Sequence, residues 1–439
     1  MVVALSIAGS DSIGGAGIQA DVKAMASVGV HAATVITAIT SQNTIRVADI
    51  LPVPPKHVAS QLDSVLSDAM IKAAKTGMLY SPEIVDAVVG RLKRRKLRLV
   101  VDPVMVAGVG DRLTAGNLIE AMKGLLPLAT IVTPNKDEAE ALSHIKVSTT
   151  KDAERACAKI ADLGSQMVLV KGGHLDGPES VDILYDGNEF VELSSPRIDT
   201  TVHGSGCALS ACIAAYMALG IEPREAVVQA KARVTDAIEF HHKIGKGPEA
   251  TEPMASIIRE MSRYSVMTSL KEATEALECL LPAEWVPEVG ANFAFALPHA
   301  RYNEDVCALE GRIVGMRGRV VHSGCYSFGA SRHVARIVLE AMRHNPEFRS
   351  AMNVRFSDDH IESSKAAGLT LSSFDRKDEP SKVKTMEWGT RAAIESFGSV
   401  PDMIFDRGGV GKEPMIRILG KDPQDVLRKL RGVVRREVA

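Results

Sequence analysis

One stretch of the chain has the residue types and spacing to hold an anion. His203-Gly204-Ser205-Gly206-Cys207 runs into Ala208 through Tyr216, a segment of Ala, Leu, Ile, Cys and Ser. That composition belongs to a buried helix, so the glycines form a turn at its start. The first turn of a helix carries unpaired N–H groups and a partial positive charge. Gly204 and Gly206 let this backbone close on a phosphoryl group, with Ser205 between them. Cys207 falls in the first turn, where the helix field is expected to lower a thiol's pKa. A plain glycine turn ahead of a core helix has the same local pattern, so other residues must decide.

The elements that must position this turn alternate along the first half. Val2–Ala8 reads as an apolar strand, followed by the Gly/Ser loop Gly9 to Gly17 and a helix over Ile18–Val28. Ala32–Ile39 is a second strand ending in Thr40-Ser41-Gln42-Asn43-Thr44, and Lys56–Leu66 is helical. Ala73–Met78 is a strand, and Ser81-Pro82-Glu83 reads as an N-cap with Pro at the first helical position. Arg98–Val101 runs into Asp102-Pro103, Thr130–Val132 into Thr133-Pro134-Asn135 with Glu138, and Met167–Val170 into Lys171-Gly172-Gly173-His174. Short apolar strands that end in polar, Gly or Pro residues before a helix predict a mostly parallel, right-handed α/β sheet. Ligands of such sheets sit at the C-terminal strand ends, where all these polar clusters converge.

Composition bounds the rest. At 439 residues, two or three domains are expected. Hydrophobic residues make up 46% and aromatics only 4%, so the cores are aliphatic. A net charge of −2 gives no electrostatic argument for nucleic acid or an anionic membrane. Six scattered cysteines without a CxxC pair suit a reducing cytoplasm and argue against structural zinc. The apolar N-terminus lacks a basic leader, and no apolar run reaches the roughly 18 residues of a membrane span. The basic run Arg91–Arg98 reads as a solvated helix end.

Residues 243–253 are rich in Gly, Pro, Lys and Glu and read as connector, after which Met254–Leu281 is helical. We place domains at 1–245 and 263–439 with a linker at 246–262. The second domain has strand-like pieces at 291–297, 306–309 and 403–406, a helix after Gly329-Ala330-Ser331, and a collection of arginines. Gly408-Gly409-Val410-Gly411-Lys412-Glu413 imitates a P-loop but has Asp406 for its first Gly and Glu413 for its Ser or Thr. Such a loop still binds phosphate through backbone N–H groups.

The first-domain motifs, taken in order from Ala8-Gly9-Ser10-Asp11 through Gln42-Asn43-Thr44, Asp102-Pro103, Pro134-Asn135, Lys171-Gly172-Gly173 and His203–Cys207, resemble hydroxymethylpyrimidine phosphate kinase (ThiD) of the ribokinase-like superfamily. The family has Gly where Ile13 stands and Thr where Ser205 stands. The second domain resembles ThiN, a thiamine phosphate synthase domain, through Gly311-Arg312-Ile313, Phe328–Arg336, Phe374-Asp375-Arg376 and Pro401 through Pro414. The implied fold is a three-layer α/β/α ribokinase-like domain followed by a smaller, separate α/β domain.

The resemblance implies a bifunctional enzyme of thiamine biosynthesis. Its kinase would use ATP and Mg²⁺ to convert the hydroxymethylpyrimidine, or its phosphate, to the diphosphate. Its synthase would join that product to thiazole phosphate and release pyrophosphate. Gln42, Gly9, Asp11 and Met78 would hold the pyrimidine, since an amide both donates and accepts. Lys171 with Gly204, Ser205 and Gly206 would hold nucleotide phosphate. Asp102 and Glu138 would serve Mg²⁺, and Cys207 would act as base. In the second domain His333 and Arg312 would be catalytic, Arg336, Arg376 and Lys412 would bind phosphates, and Asp406 would hold Mg²⁺. The alternative is a non-catalytic second domain that senses thiamine phosphate; a pyridoxal-type kinase is a third option. Partners are small molecules, with a homodimer in the cytoplasm implied and no nucleic acid or membrane.

Overall fold

Val3–Asp11 forms strand β1, nearly all buried, as expected of a strand inside a sheet covered on both faces. The computed structural model describes residues 1–105, 117–174, 177–198, 200, 202–380, 385–409 and 411–438. Val410 of the glycine-rich loop lies outside the described residues. The chain divides into two units, Met1–Ile257 and Ile258–Ala439.

In the first unit the further strands are β2 (His31–Gln42), β3 (Val47–Pro52), β4 (Ile71–Thr76), β5 (Arg98–Val101), β6 (Ile131–Val132), β7 (Met167–Val170), β8 (Glu179–Tyr185) and β9 (Phe190–Pro196). Their order is β3-β2-β1-β4-β5-β6-β7-β8-β9. The strands from β2 to β7 are parallel, while β3, β8 and β9 run antiparallel at the two edges. One face is covered by α2 (Pro55–Asp68), α3 (Pro82–Leu92), α4 (Leu118–Met122), α5 (Lys136–Ser143) and α6 (Thr150–Ala161). The other is covered by α1 (Gly17–Ser27), α7 (Ser205–Ala218) and α8 (Pro223–Glu239). Helix α7 is apolar all round and buried from Ala208 to Ala218, as a helix sandwiched between layers must be. Ser81 stands at the N-cap of α3, but its side chain makes no cap hydrogen bond.

The stretch 246–262 is more than a connector. Its strand β11 (Glu249–Ala250) pairs in parallel with β10 (Val202–His203), beside the glycine turn. Gly247 N–H donates to the Thr44 hydroxyl at 3.0 Å, and a Cβ on Gly247 would stand 1.8 Å from the Thr44 carbonyl oxygen. Glycine there permits tight packing, not slack. Helix α9 (Ala255–Leu280) begins within the same stretch.

The second unit is built on β12 (Phe293–Ala296), β13 (Val306–Leu309), the hairpin β14 (Ile313–Met316) and β15 (Arg319–His322), then β16 (Tyr326–Phe328), β17 (Ser350–Arg355), β18 (Leu371–Ser373), β19 (Met403–Asp406) and β20 (Met415–Gly420). Seven of these form one sheet in the order β16-β13-β12-β17-β20-β19-β18, antiparallel except for β18 with β19. Helices α10 (Arg332–His344) and α12 (Thr385–Phe397) pack on one face. Residues of α9, α11 (Asp358–Ala366) and α13 (Pro423–Val438) pack on the other.

Candidate active sites

The anion turn is built as the sequence requires. Gly204 caps α7 with φ +93°, and a Cβ there would stand 1.8 Å from the Gly15 carbonyl oxygen. Both facts demand glycine. Ser205 opens the helix, and Gly206 lies under the Lys171 ammonium, whose Nζ would be 3.3 Å from a Cβ on residue 206. The helix N-terminus and a lysine thus converge on one point.

Lys171 leaves the end of β7 and donates to Asp102 Oδ1 at 3.0 Å, with Glu138 Oε2 at 3.9 Å. Burial works against its charge, but Asp102 and Glu138 more than restore it and hold its pKa above the ordinary lysine value. Asp102 follows β5 and also accepts from the Ser210 hydroxyl at 3.1 Å. Glu138 closes a capping box on α5, accepting from Asn135 N–H at 2.8 Å while its own N–H donates to Asn135 Oδ1 at 2.9 Å. Burial pushes the Glu138 carboxyl up to about 7, with Lys171 opposing and Asp102 adding to the rise. Two carboxylates flanking one lysine suit a magnesium ion held chiefly by nucleotide phosphates and water.

Cys207 corrects an expectation. Although the residue keeps partial exposure, burial pushes its thiol up to about 11; Lys75 opposes this, and Asp21 and Asp102 add to it. Desolvation outweighs the Lys75 charge, so the group is a neutral thiol at pH 7.

On the pyrimidine side, Gly9 faces Met78, whose sulfur would lie 2.8 Å from a Cβ on residue 9. Gln42 ends β2, with its amide 3.2 Å from His203 Nε2 and 3.3 Å from Thr40 Oγ1. The Asp11 carboxylate is largely engaged within its own loop. It accepts from the Ile13, Gly15 and Ala16 amides at 3.1, 3.1 and 2.8 Å and lies 3.3 Å from His203 Nε2. The turn from β1 into α1 leaves those amides unpaired, and the carboxylate satisfies them. Burial tends to raise its pKa, but His203 and the amides hold it below the usual carboxylate range.

Three features of this unit escaped the sequence reading. Lys75 is fully buried on β4 and binds both Asp21 oxygens at 3.0 Å, with the Ser6 hydroxyl on the same carboxylate. Asp182 on β8 pairs with Lys231 at 2.8 Å and accepts from Gly172 N–H at 2.8 Å. These two line a cleft of about 110 Å³ together with Lys171, Ser205 and Gly206. His203 links Asp11 and Gln42. A charged residue inside an apolar strand was the available signal for Lys75 and Asp182.

In the second unit Arg312, His333, Arg336, Arg376 and Lys412 line one cavity of about 590 Å³. Its apolar lining includes Val289, Val334, Ile337, Met386 and Met415, with Asn292 and Asn353 among them. His333 sits in the first turn of α10, and burial, then Arg336 and Arg312, lower its pKa, so the imidazole is neutral at pH 7. Asp406 is not free for a metal. Its Oδ1 accepts from Arg376 Nε at 2.5 Å and Gly408 N–H at 2.8 Å, and its Oδ2 from Arg376 Nη2 at 3.1 Å and Arg417 Nη2 at 2.7 Å. Burial is offset by these guanidinium groups, which hold its pKa below the usual range. Among the described residues no group of three or more His, Cys, Asp or Glu side chains is placed to hold a metal.

Known proteins match both halves. A family model described as phosphomethylpyrimidine kinase matches residues 11–252, and one described as thiamine-phosphate synthase ThiN matches residues 269–432. The bifunctional thiamine biosynthesis protein ThiDN of Methanocaldococcus jannaschii is 33% identical over 430 residues, covering 98% of this chain and 97% of that protein. The hydroxymethylpyrimidine/phosphomethylpyrimidine kinase of Rhizobium meliloti is 46% identical over 253 residues, 56% of this chain and 95% of that one. Among solved structures, Staphylococcus aureus pyridoxal kinase with AMP-PCP and pyridoxal aligns with a TM-score of 0.54 at 36% identity, covering 58% of this chain and 94% of that one. The ribokinase-like fold of the first unit, and a second, smaller α/β unit following it in the chain, are as expected. No helix among the described residues is long and apolar enough to cross a membrane. With both halves matched in order, and a relative matched from end to end, the chain belongs to the bifunctional ThiDN family, a phosphomethylpyrimidine kinase joined to a ThiN-type thiamine-phosphate synthase.

Proposed function

We propose that the first unit transfers the γ-phosphoryl group of ATP to 4-amino-5-hydroxymethyl-2-methylpyrimidine and to its monophosphate. The observation that carries this is the convergence of Lys171 with the N-terminus of α7 at Gly204–Gly206. Phosphoryl transfer has a loose transition state, so its catalysis is mainly positioning and charge neutralisation. Lys171 and the α7 amides supply positive charge, and Asp102, which also accepts from the Ser210 hydroxyl, holds the lysine in place. Asp102 and Glu138 would hold magnesium through water; when bound, the ion neutralises phosphate charge. Cys207 meets the acceptor oxygen as a neutral thiol. The free alcohol passes its proton to an oxygen of the transferred phosphoryl group as the new O–P bond forms and the bond to ADP breaks, while a monophosphate acceptor already carries an anionic oxygen and needs no base.

The second unit then joins the pyrimidine diphosphate to thiazole phosphate. The methylene carbon–oxygen bond breaks, its electron pair leaves with pyrophosphate, and the thiazole nitrogen bonds to the methylene carbon. Arg312, Arg336, Arg376 and Lys412 take up the charge of the leaving group. Neutral His333 stands at the helix start to contact phosphate or move a proton. A cytoplasmic homodimer is the setting this reading carries.

The test is a chain disabled in one unit only. Lys171→Ala should cost roughly 10²–10³-fold in kinase kcat, as loss of a charge-stabilising group does. The same protein should still make thiamine phosphate when pyrimidine diphosphate is supplied. Full kinase activity in the variant would overturn the Lys171 assignment.

A further inference from the structure

Gln42 contacts two groups whose hydrogens decide which way its amide points. His203 is 7% exposed, and its Nδ1 is buried without a hydrogen-bond partner among the described residues. A proton on Nδ1 would therefore be a buried, unsatisfied donor, which is costly. The proton belongs on Nε2, where the Asp11 carboxylate accepts it at 3.3 Å. The Gln42 atom 3.2 Å from that same Nε2–H must then be an acceptor, the amide oxygen. Oxygen and nitrogen of an amide are told apart only by their partners.

Thr40 gives the same answer independently. Its hydroxyl lies 2.9 Å from the Ser10 carbonyl oxygen and 3.3 Å from the other Gln42 amide atom. The Ser10 carbonyl can only accept and is the nearer of the two, so the hydroxyl hydrogen goes to it and the hydroxyl's lone pairs face Gln42. The Gln42 atom facing Thr40 is therefore the donating nitrogen. Every donor then has an acceptor along the line Asp11, His203, Gln42, Thr40, Ser10. Gly15 makes room for the ring: a Cβ there would stand 2.7 Å from His203 Cδ2.

We propose that His203 is a specificity-determining positioning residue, locking the Gln42 amide with oxygen toward the imidazole and nitrogen toward Thr40. This rests on the reading that Gln42 binds the pyrimidine. The amide then offers a ligand one remaining lone pair beside one remaining N–H. A ring edge with an amino group next to an unprotonated ring nitrogen complements it. A ring with a carbonyl and a ring N–H in their place presents the reverse pattern and is rejected.

The experiment compares the 4-amino substrate with its 4-oxo analogue on the full-length chain. In wild type the ratio of kcat/KM strongly favours the amino compound. In His203→Leu one of the amide's two fixed partners is gone and the hold on its orientation weakens, so the ratio should fall by about tenfold, chiefly through KM for the amino compound. His203→Gln, which can still donate from a side-chain amide, should recover part of it. Parallel losses for both substrates with the ratio unchanged would overturn the proposal and leave His203 a packing residue. On the unmutated protein, long-range ¹H–¹⁵N correlation should show the Nε2–H tautomer of His203; the Nδ1–H tautomer would overturn it without any variant. Gln42→Ala separates the two readings. If it leaves both substrates unaffected, pyrimidine binding at Gln42 fails, whatever His203 does.

Discussion

At the scale of single residues, burial decides the chemistry more often than local motif does. Cys207 has the position of a reactive thiol but lies where desolvation pushes its pKa up to about 11. Raised pKa means less thiolate below it, so alkylation at pH 8 should be more than about a hundredfold slower than for a free cysteine, rising steeply toward pH 11. Reaction at the free-thiol rate would contradict this. Cys207→Ala should likewise cost less than about a hundredfold in kcat, below what loss of a general base costs. Asp406 makes the same point in the other unit. It is a carboxylate after a short strand, the pattern of a metal ligand, yet two guanidinium groups and an amide take up its oxygens. Asp406→Ala should lower the stability of the second unit by about 3–5 kcal/mol, because it strands the buried Arg417 charge. That loss, followed by denaturant unfolding, should be the same with magnesium or with chelator; a difference would restore Asp406 as a ligand.

At the scale of elements, two loops from distant parts of the first unit fit together only because they are glycine. The Gly15 carbonyl sits where a Gly204 side chain would be, and the Gly15 Cβ position is filled by His203. Gly204→Ala therefore meets both a positive φ and a backbone clash. It should destabilise the protein by about 1–3 kcal/mol and weaken nucleotide binding more than pyrimidine binding, since it moves the start of α7. Titration calorimetry with an ATP analogue checks the split; normal nucleotide affinity would show that the α7 amides do not hold phosphate. The strand-to-helix alternation, the anion turn and the polar strand ends were legible because period and punctuation are local. Lys75 with Asp21, and Asp182 with Lys231, were not. A buried ion pair is a relation between elements far apart in sequence, and only the sheet order brings its members together. The 243–253 stretch, read as connector, misled for a related reason. Gly245 and Gly247 look like slack in a sequence, while in the fold they admit Thr44.

At the scale of the whole molecule, two units carry two chemistries, each with its own cationic site. In the second, residues separated by a hundred positions, from Arg312 to Lys412, line one cavity that their types alone could only suggest. The antiparallel order of its sheet was also out of reach of periodicity, because short apolar strands look alike whichever way they pair. The central claim is that one chain performs both reactions, each in its own unit. The measurement is a coupled assay of the full-length protein with ATP, Mg²⁺, the hydroxymethylpyrimidine and thiazole phosphate, run beside a His333→Ala variant. The predicted result is thiamine phosphate from wild type, and pyrimidine diphosphate that accumulates in the variant. Wild type that itself stops at the diphosphate would contradict the claim and make the second unit a binder, not an enzyme.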